Sequence, residues 1–341
     1  MSGLYGLLFT KLQLPPASTI NGRTILITGA NTGLGREAAR HALALGAGTV
    51  ILGVRTMSKG EEAKTDIERS TGCSGENKVL VWPVDLESFD SVLAFADRAR
   101  KHVRDGGRLD IAIMNAGFAS QAWRVTGDGW ERGLQANVLS TALLSLELLP
   151  LLLKSQGSWR GGGDFTPHLA IAASDIHRTV KFPERTADNI LAALNDEATW
   201  EKSQSVGGVV ERYSTTKLLD IFITMEMARL APRDENGQPQ VIVNCFTPGF
   251  CKSDLMTREK TPLVLKLIQM AVARTVEQGS KTLLHAATEG VETHGLWMEN
   301  QAIADPGKIV TDPEMGVVRE NVWREIVEVL RGVHSGLQTE Y

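Results

Sequence analysis

The chain has 341 residues, 43% apolar and 22% charged, with a formal net charge of −4. These values exclude a disordered tail, a fibrous repeat and a membrane bundle, and the slight acidity gives nucleic acid no basic face to bind. A large core can be buried at this length without disulfides or metals to hold it. Cys73, Cys245 and Cys251 are odd in number and lack CxxC spacing, which points to reduced thiols in an intracellular, cytoplasmic protein. Of three tyrosines, Tyr5 and Tyr341 stand near the ends, so Tyr213 is the one interior phenol.

Residues 1–16 (MSGLYGLLFTKLQLPP) carry a short apolar run without a basic region or a small-residue cleavage site. They read as a segment docked on the protein's own surface, or in weak membrane contact, rather than as a signal peptide. Next, Thr24–Thr28 (TILIT) predicts a buried strand, followed by a glycine turn and a helix to about Leu45. Thr49–Gly53 predicts a second strand, and Ser58–Glu68 a polar amphipathic helix. Val79–Val84, Leu109–Met114 and Leu169–Ala173 are further short apolar runs. Val138–Leu153 contains Glu147 and Pro150, is too short to span a bilayer, and reads as a buried helix. A long helix over Glu211–Leu230 precedes the apolar run Gln240–Phe246. Short apolar strands alternating with helices imply parallel βαβ units, and hence an α/β fold with one doubly wound sheet covered on both faces. No repeat or linker divides the chain, so 1–341 is expected to form one domain with a core over about 22–300. Residues 155–164, 175–208 and 250–275 break the alternation and read as loops, lids or insertions; 301–341 forms a C-terminal extension.

Between the first strand and helix lies Thr28-Gly29-Ala30-Asn31-Thr32-Gly33-Leu34-Gly35. Glycines there permit a tight turn and let backbone N–H groups approach a pyrophosphate, with the helix N-terminus adding its partial positive charge. The G-x3-G-x-G spacing is a variant of the dinucleotide fingerprint. NAD-binding folds place an acidic residue about 20 positions later to hold the ribose, but here the second strand ends in Gly53-Val54-Arg55. A guanidinium can hold a 2′-phosphate that a carboxylate would repel, so NADP(H) is expected over NAD(H).

The ordered motifs resemble the short-chain dehydrogenase/reductase family over roughly residues 22–290. TGANTGLG is similar to its cofactor turn, Asp85-Leu86 to the pair at the adenine, and Asn115-Ala116-Gly117 to its NAG motif. Asn137, Ser174, Tyr213 and Lys217 follow the order of its catalytic set. Pro248-Gly249 matches the turn near the nicotinamide, with Ser253 the hydroxyl after it. NAG and YxxxK each arise by chance; their order on the expected elements carries the resemblance. It implies a Rossmann-type fold in which Tyr213 exchanges the substrate proton, Ser174 binds the carbonyl oxygen, Lys217 holds the ribose, and Asn137 supports a water behind the lysine. A phenol has a pKa near 10, and a neighbouring ammonium together with an oxidised nicotinamide is expected to lower it. No metal ligand set and no G-x-S-x-G elbow is present, so Asp175 and His177 read as loop residues.

The interval from Ser174 to Tyr213 is longer than in most of the family and resembles the retinol-dehydrogenase-like branch and fungal reductases of secondary metabolism. Phe118–Trp123, the 175–208 insertion with Phe182 and Trp200, and the 250–275 segment are expected to wall a pocket beyond the strand ends. Their apolar side chains suit a lipophilic ketone, aldehyde or alcohol, and equally suit packing on the body of the protein. Within the family, the Val138–Leu153 and Glu211–Leu230 helices often form a homodimer interface, which the residues after Thr293 could cover instead. Epimerisation or dehydration on the same site, and a noncatalytic sensor or scaffold, are the competing functions.

Overall fold

A computed structural model describes residues 10–120, 122–156, 165–207, 209–252 and 273–340. Its eight-stranded sheet runs in the order β3-β2-β1-β4-β5-β6-β7-β8. The strands are β1 (Thr24–Thr28), β2 (Thr49–Val54), β3 (Val79–Pro83), β4 (Ile111–Met114), β5 (His168–Ala172), β6 (Ile242–Phe246), β7 (Trp297–Glu299) and β8 (Ala302–Ile303). All pairs are parallel except β7 with β8.

Side chains of a strand alternate between faces, and here both faces are apolar. Leu26, Ile51, Ala112, Leu169 and Val243 join one core with α3 (Phe89–Arg104), α4 (Ser140–Leu153) and α7 (Val209–Leu230). Ile25, Ile27, Val50, Leu52 and Ile113 join the other with α1 (Gly33–Ala44), α2 (Met57–Thr71) and α8 (Val276–Ala286). The chain builds β1 to β3 outward on one side and resumes with β4 on the other. Order therefore reverses between β1 and β4, and the carboxyl ends of those strands flank a crevice.

Helix α4 is buried nearly all round. A π-helical turn, Gln135–Leu139, leads into it. The helical run extends upstream of the expected Val138–Leu153 segment, and Arg132–Leu153 has 22 residues. Its most apolar window is 89% buried inside the fold, which makes it a core helix. Its one carboxylate, Glu147, accepts from Arg100 of α3 and lies 2.5 Å from His334 Nδ1. The C-terminal helix α9 (Pro313–Val333) packs on α7, and with His334 it covers part of the face that the resemblance offers to a second copy.

Residues 175–207 are structured rather than irregular. Two 3-10 turns, Asp175–Thr179 and Pro183–Thr186, precede the short helix α5 (Ile190–Leu194) and then α6 (Glu197–Gly207). Glu325 of α9 accepts from Ile190 N at 3.0 Å and Leu191 N at 2.7 Å. Arg178 pairs with Glu299 at 2.8 Å. Glu325 of the C-terminal extension and Glu299 of β7 thus hold the insertion in place. At the other end, Leu12 is buried, and Gln13 exchanges two hydrogen bonds with Gln301, so this part of the N-terminal segment docks on the protein itself.

Candidate active site

The glycine turn leaves β1 with Gly29 at φ +68° and enters α1 with Gly33 at φ +57°, a region that disfavours any residue with a Cβ. A Cβ on Gly35 would stand 2.6 Å from Gly29 O and 2.8 Å from Asn115 Nδ2. On Gly33 it would meet nothing within 4 Å. Thr32 makes no side-chain cap, and no acidic residue occupies the first turn of α1. The first N–H groups of a helix lack intrahelical partners, so this end is an open cradle with positive partial charge that fits a pyrophosphate. Asn31 and Thr32 flank the cradle, while the Leu34 side chain lies toward Gly279 of α8.

Asn115 lies just beyond β4. Its side-chain amide donates to Thr28 O at 2.9 Å, and Thr28 Oγ1 accepts from Asn115 N and Ala116 N, each at 3.0 Å. These bonds fasten the ends of β1 and β4 across the crevice and fix Ala116 and Gly117. A Cβ on Gly117 would lie 3.1 Å from Asn137 Oδ1 and 3.5 Å from Lys217 Nζ, so the glycine lets those groups converge. Asn137 sits in the π-helical turn, is 1% exposed, accepts from Phe118 N at 3.0 Å, and donates to Phe118 O and Thr216 Oγ1.

Lys217 and Tyr213 are one turn apart on α7, with Nζ 5.7 Å from the phenol ring centroid. Nζ donates to Ala172 O at the end of β5 and to Asp220 Oδ2, both at 2.8 Å. Ser174 follows β5 in extended backbone and caps the 3-10 turn 175–179 with long contacts of 3.4 Å to Ile176 N and Asp175 Oδ1. That turn packs against α7. His177 is fully buried there, with Nδ1 2.6 Å from Ser174 O and Nε2 2.7 Å from Pro306 O. Beyond β6, Gly249 adopts φ +73° and donates to Thr247 Oγ1; Pro248 O lies 3.3 Å from Cys251 Sγ. Ser253 lies outside the described residues, as does most of the 250–275 segment.

Burial sets the electrostatics of the site in the protein alone. In this chain the Tyr213 phenol is raised above its ordinary value: burial dominates, Lys217 pulls it down, and Asp220 and Asp175 push it back up. The expected lowering came from an ammonium together with an oxidised nicotinamide; in the protein alone burial outweighs the pull of Lys217, and Asp220 and Asp175 add to it. Asp220, together with Thr28 and Thr216, was missed by sequence reasoning; the Lys-x-x-Asp spacing on one helix face was the available signal.

Other expected residues are placed as follows. Arg55 is half-exposed and donates to Glu87 Oε1 at 3.0 Å, and Arg132 binds the same carboxylate at 2.7 Å. Asp85 Oδ1 accepts from Glu87 N, and Leu86 O accepts from Ser140 Oγ at 2.7 Å. Phe182 is corrected as a pocket wall: it is 0% exposed, at φ +48°, and belongs to the main core. Trp200 is buried edge-on against Trp123. Phe118, Trp123 and Phe250 keep partial exposure.

Residues 23–159 match the short chain dehydrogenase family. A short-chain dehydrogenase/reductase of Cryptosporiopsis sp. (strain 8999) is 37% identical over 343 residues, covering 100% of both chains. A short-chain dehydrogenase of Emericella nidulans is 40% identical over 307 residues, 88% of this chain and 90% of that one. Among solved structures, a Shigella flexneri short-chain dehydrogenase complexed with NADP matches with a TM-score of 0.57 at 22% identity, over 83% of this chain and 98% of the other; at that identity the likeness shows the fold alone. A Rossmann-like sheet and two long, close relatives lead to one assignment: the chain belongs to the short-chain dehydrogenase/reductase family, oxidoreductases that act on small molecules with a nicotinamide cofactor.

Proposed function

We propose that this chain is an NADP(H)-dependent oxidoreductase that interconverts a carbonyl and an alcohol on a lipophilic small molecule, such as a polyketide or terpenoid intermediate of secondary metabolism. It acts in the cytoplasm as one Rossmann-type domain over 1–341. The observation that carries this reading is the approach of Asn137, across Gly117, to Lys217, whose helix also bears Tyr213, beside Ser174 at the end of β5.

The cradle formed by Gly29, Asn31, Thr32, Gly33, Leu34 and Gly35 would hold the pyrophosphate. Asp85 and Leu86 would flank the adenine, Asn115–Gly117 the ribose side, and Pro248, Gly249 and Ser253 the nicotinamide. When bound, the nicotinamide supplies or accepts the hydride. The chain's own residues do the rest. Ser174 Oγ donates to the substrate oxygen as negative charge develops there. Tyr213 Oη gives that oxygen its proton in reduction and takes it in oxidation. The Lys217 ammonium stabilises the phenolate left behind, and Asn137 fixes the segment from which a water can reach Lys217.

NADP(H) preference is supported by Arg55. Glu87 is shared between Arg55 and Arg132, so the three groups carry one net positive charge, which suits a 2′-phosphate. Lipophilic substrates are supported by Phe118, Trp123 and Phe250 at the rim. Because α9 lies along α7, we place any homodimer contact elsewhere on the surface.

Absorbance at 340 nm over a panel of lipophilic carbonyls and hydrophilic sugars, with NADPH and NADH, tests this reading. Turnover of lipophilic carbonyls with NADPH is expected. Turnover of sugars alone, or no change in nicotinamide absorbance on any substrate, would overturn it.

A further inference from the structure

Asp220 lies one turn beyond Lys217 on α7, and the two side chains form a buried ion pair, 6% exposed at the lysine and 1% at the aspartate. Burying two charges is costly unless each finds good partners. Lys217 Nζ does so: it donates to Asp220 Oδ2 and to Ala172 O. A three-donor ammonium then has one N–H left over, on a nitrogen that stands near Asn137 across Gly117. Asp220 is less well served. Its Oδ1 is buried with no hydrogen-bond partner among the described residues, and its backbone carbonyl accepts from Thr224 Oγ1 at 2.8 Å. A buried carboxylate with an unpaired oxygen is retained at a cost in stability. Among the described residues its one ionic partner is the lysine beside Tyr213.

We propose that Asp220 is a positioning residue for proton transfer: it clamps Lys217 Nζ against the end of β5 and offsets the ammonium charge at the Tyr213 hydroxyl. The inference rests on reading Tyr213 and Lys217 as the proton-transfer pair. Without Asp220, an ammonium so close would draw the phenol toward phenolate. With it, the phenol stays protonated over a wider pH range, which suits a residue whose task is to give a proton to a carbonyl oxygen. The charged and titratable groups facing this pair are Tyr213 on the same helix, Cys245 of β6, and Asp175 of the 3-10 turn. Burial drives the Cys245 thiol up to about 12, so it adds no charge near neutrality. Burial raises the Asp220 carboxyl to about 6 against the pull of Lys217.

Ultraviolet difference titration of tyrosinate at 295 nm, taken for each background with and without the Tyr213→Phe substitution, isolates this phenol without any substrate. Asp220→Asn keeps an acceptor for Nζ and removes the charge, so the Tyr213 midpoint should fall by about one pH unit. The alkaline limb of carbonyl reduction should move down with it. A residue that merely packs the helix would change stability and leave the midpoint in place. An unmoved or higher midpoint overturns the proposal. If Asp220→Asn does not fold, the same substitution in a Lys217→Met background leaves no unpaired buried charge. The double variant should titrate below Lys217→Met alone, and equal midpoints overturn the proposal equally. Failure of the underlying reading looks different: Tyr213→Phe would then keep full carbonyl turnover whatever Asp220 does.

Discussion

Alanine at Gly35 would put a methyl group 2.6 Å from Gly29 O, 2.8 Å from Asn115 Nδ2 and 3.1 Å from Ala30 Cα. Two of these neighbours are backbone, and the third is fixed by its 2.9 Å bond to Thr28 O. Relief therefore requires moving the β1–α1 turn, an overpacking that costs about 1–3 kcal/mol and lowers Tm by several degrees. Alanine at Gly33 is a different perturbation. Beyond its own turn of chain its Cβ meets no described atom within 4 Å, but φ of +57° costs an L-residue about 1–2 kcal/mol. The new methyl would project into the open cradle, where a pyrophosphate needs close backbone approach. Thermal unfolding with and without NADPH separates the two effects. At about 100 Kd a cofactor adds ~2.7 kcal/mol of stability, or roughly 5 °C in Tm. Gly33→Ala should lose most of that increment while unfolding within a few degrees of wild type on its own. Gly35→Ala should be destabilised even without cofactor. Full retention of the NADPH increment by Gly33→Ala would refute the placement of the pyrophosphate.

Three further outcomes are expected. Arg55→Ala should lower kcat/KM for NADPH by about 10–100-fold, the value of one charge-assisted bond, and leave NADH nearly unchanged; equal loss with both cofactors would remove Arg55 from 2′-phosphate recognition. His168, wholly buried, is depressed by burial from 6.5 to about 4 in the folded chain. The unfolded chain binds the proton first as pH falls, so stability is lost on acidification from about 6.5 to about 4, by on the order of 3 kcal/mol. Denaturant unfolding of His168→Gln should show a correspondingly flatter pH profile over that window. Glu325→Ala strips the acceptor from two buried N–H groups, Ile190 and Leu191. It should cost about 2–4 kcal/mol and raise substrate KM more than cofactor KM, whereas an unchanged Tm would show that α9 does not hold the insertion.

The alternation of strands and helices was legible because fully apolar runs such as Thr24–Thr28 have few other uses in a chain of this composition. β7 and β8 were not: strands of three and two residues have no run to detect, and each is placed by its neighbour, β7 by β6 and β8 by β7. Phe182 illustrates a second limit. An aromatic in an insertion reads the same whether it lines a cleft or plugs the core, and only tertiary packing decides. At the site, motif order located Asn137, Ser174, Tyr213 and Lys217, but it could not show that Lys217 is shared with Asp220 or that Arg55 is tied to Glu87. Both facts depend on which side chains the tertiary fold brings within about 3 Å, a property of the whole fold rather than of local pattern.

The most direct measurement is the 340 nm rate of wild type and Tyr213→Phe on one lipophilic carbonyl with NADPH, alongside NADPH affinity by fluorescence titration. Loss of the one interior phenol should lower kcat/KM by about 10²–10⁴-fold and leave the cofactor Kd within about twofold. A Tyr213→Phe rate within tenfold of wild type would contradict the assignment of proton transfer to Tyr213.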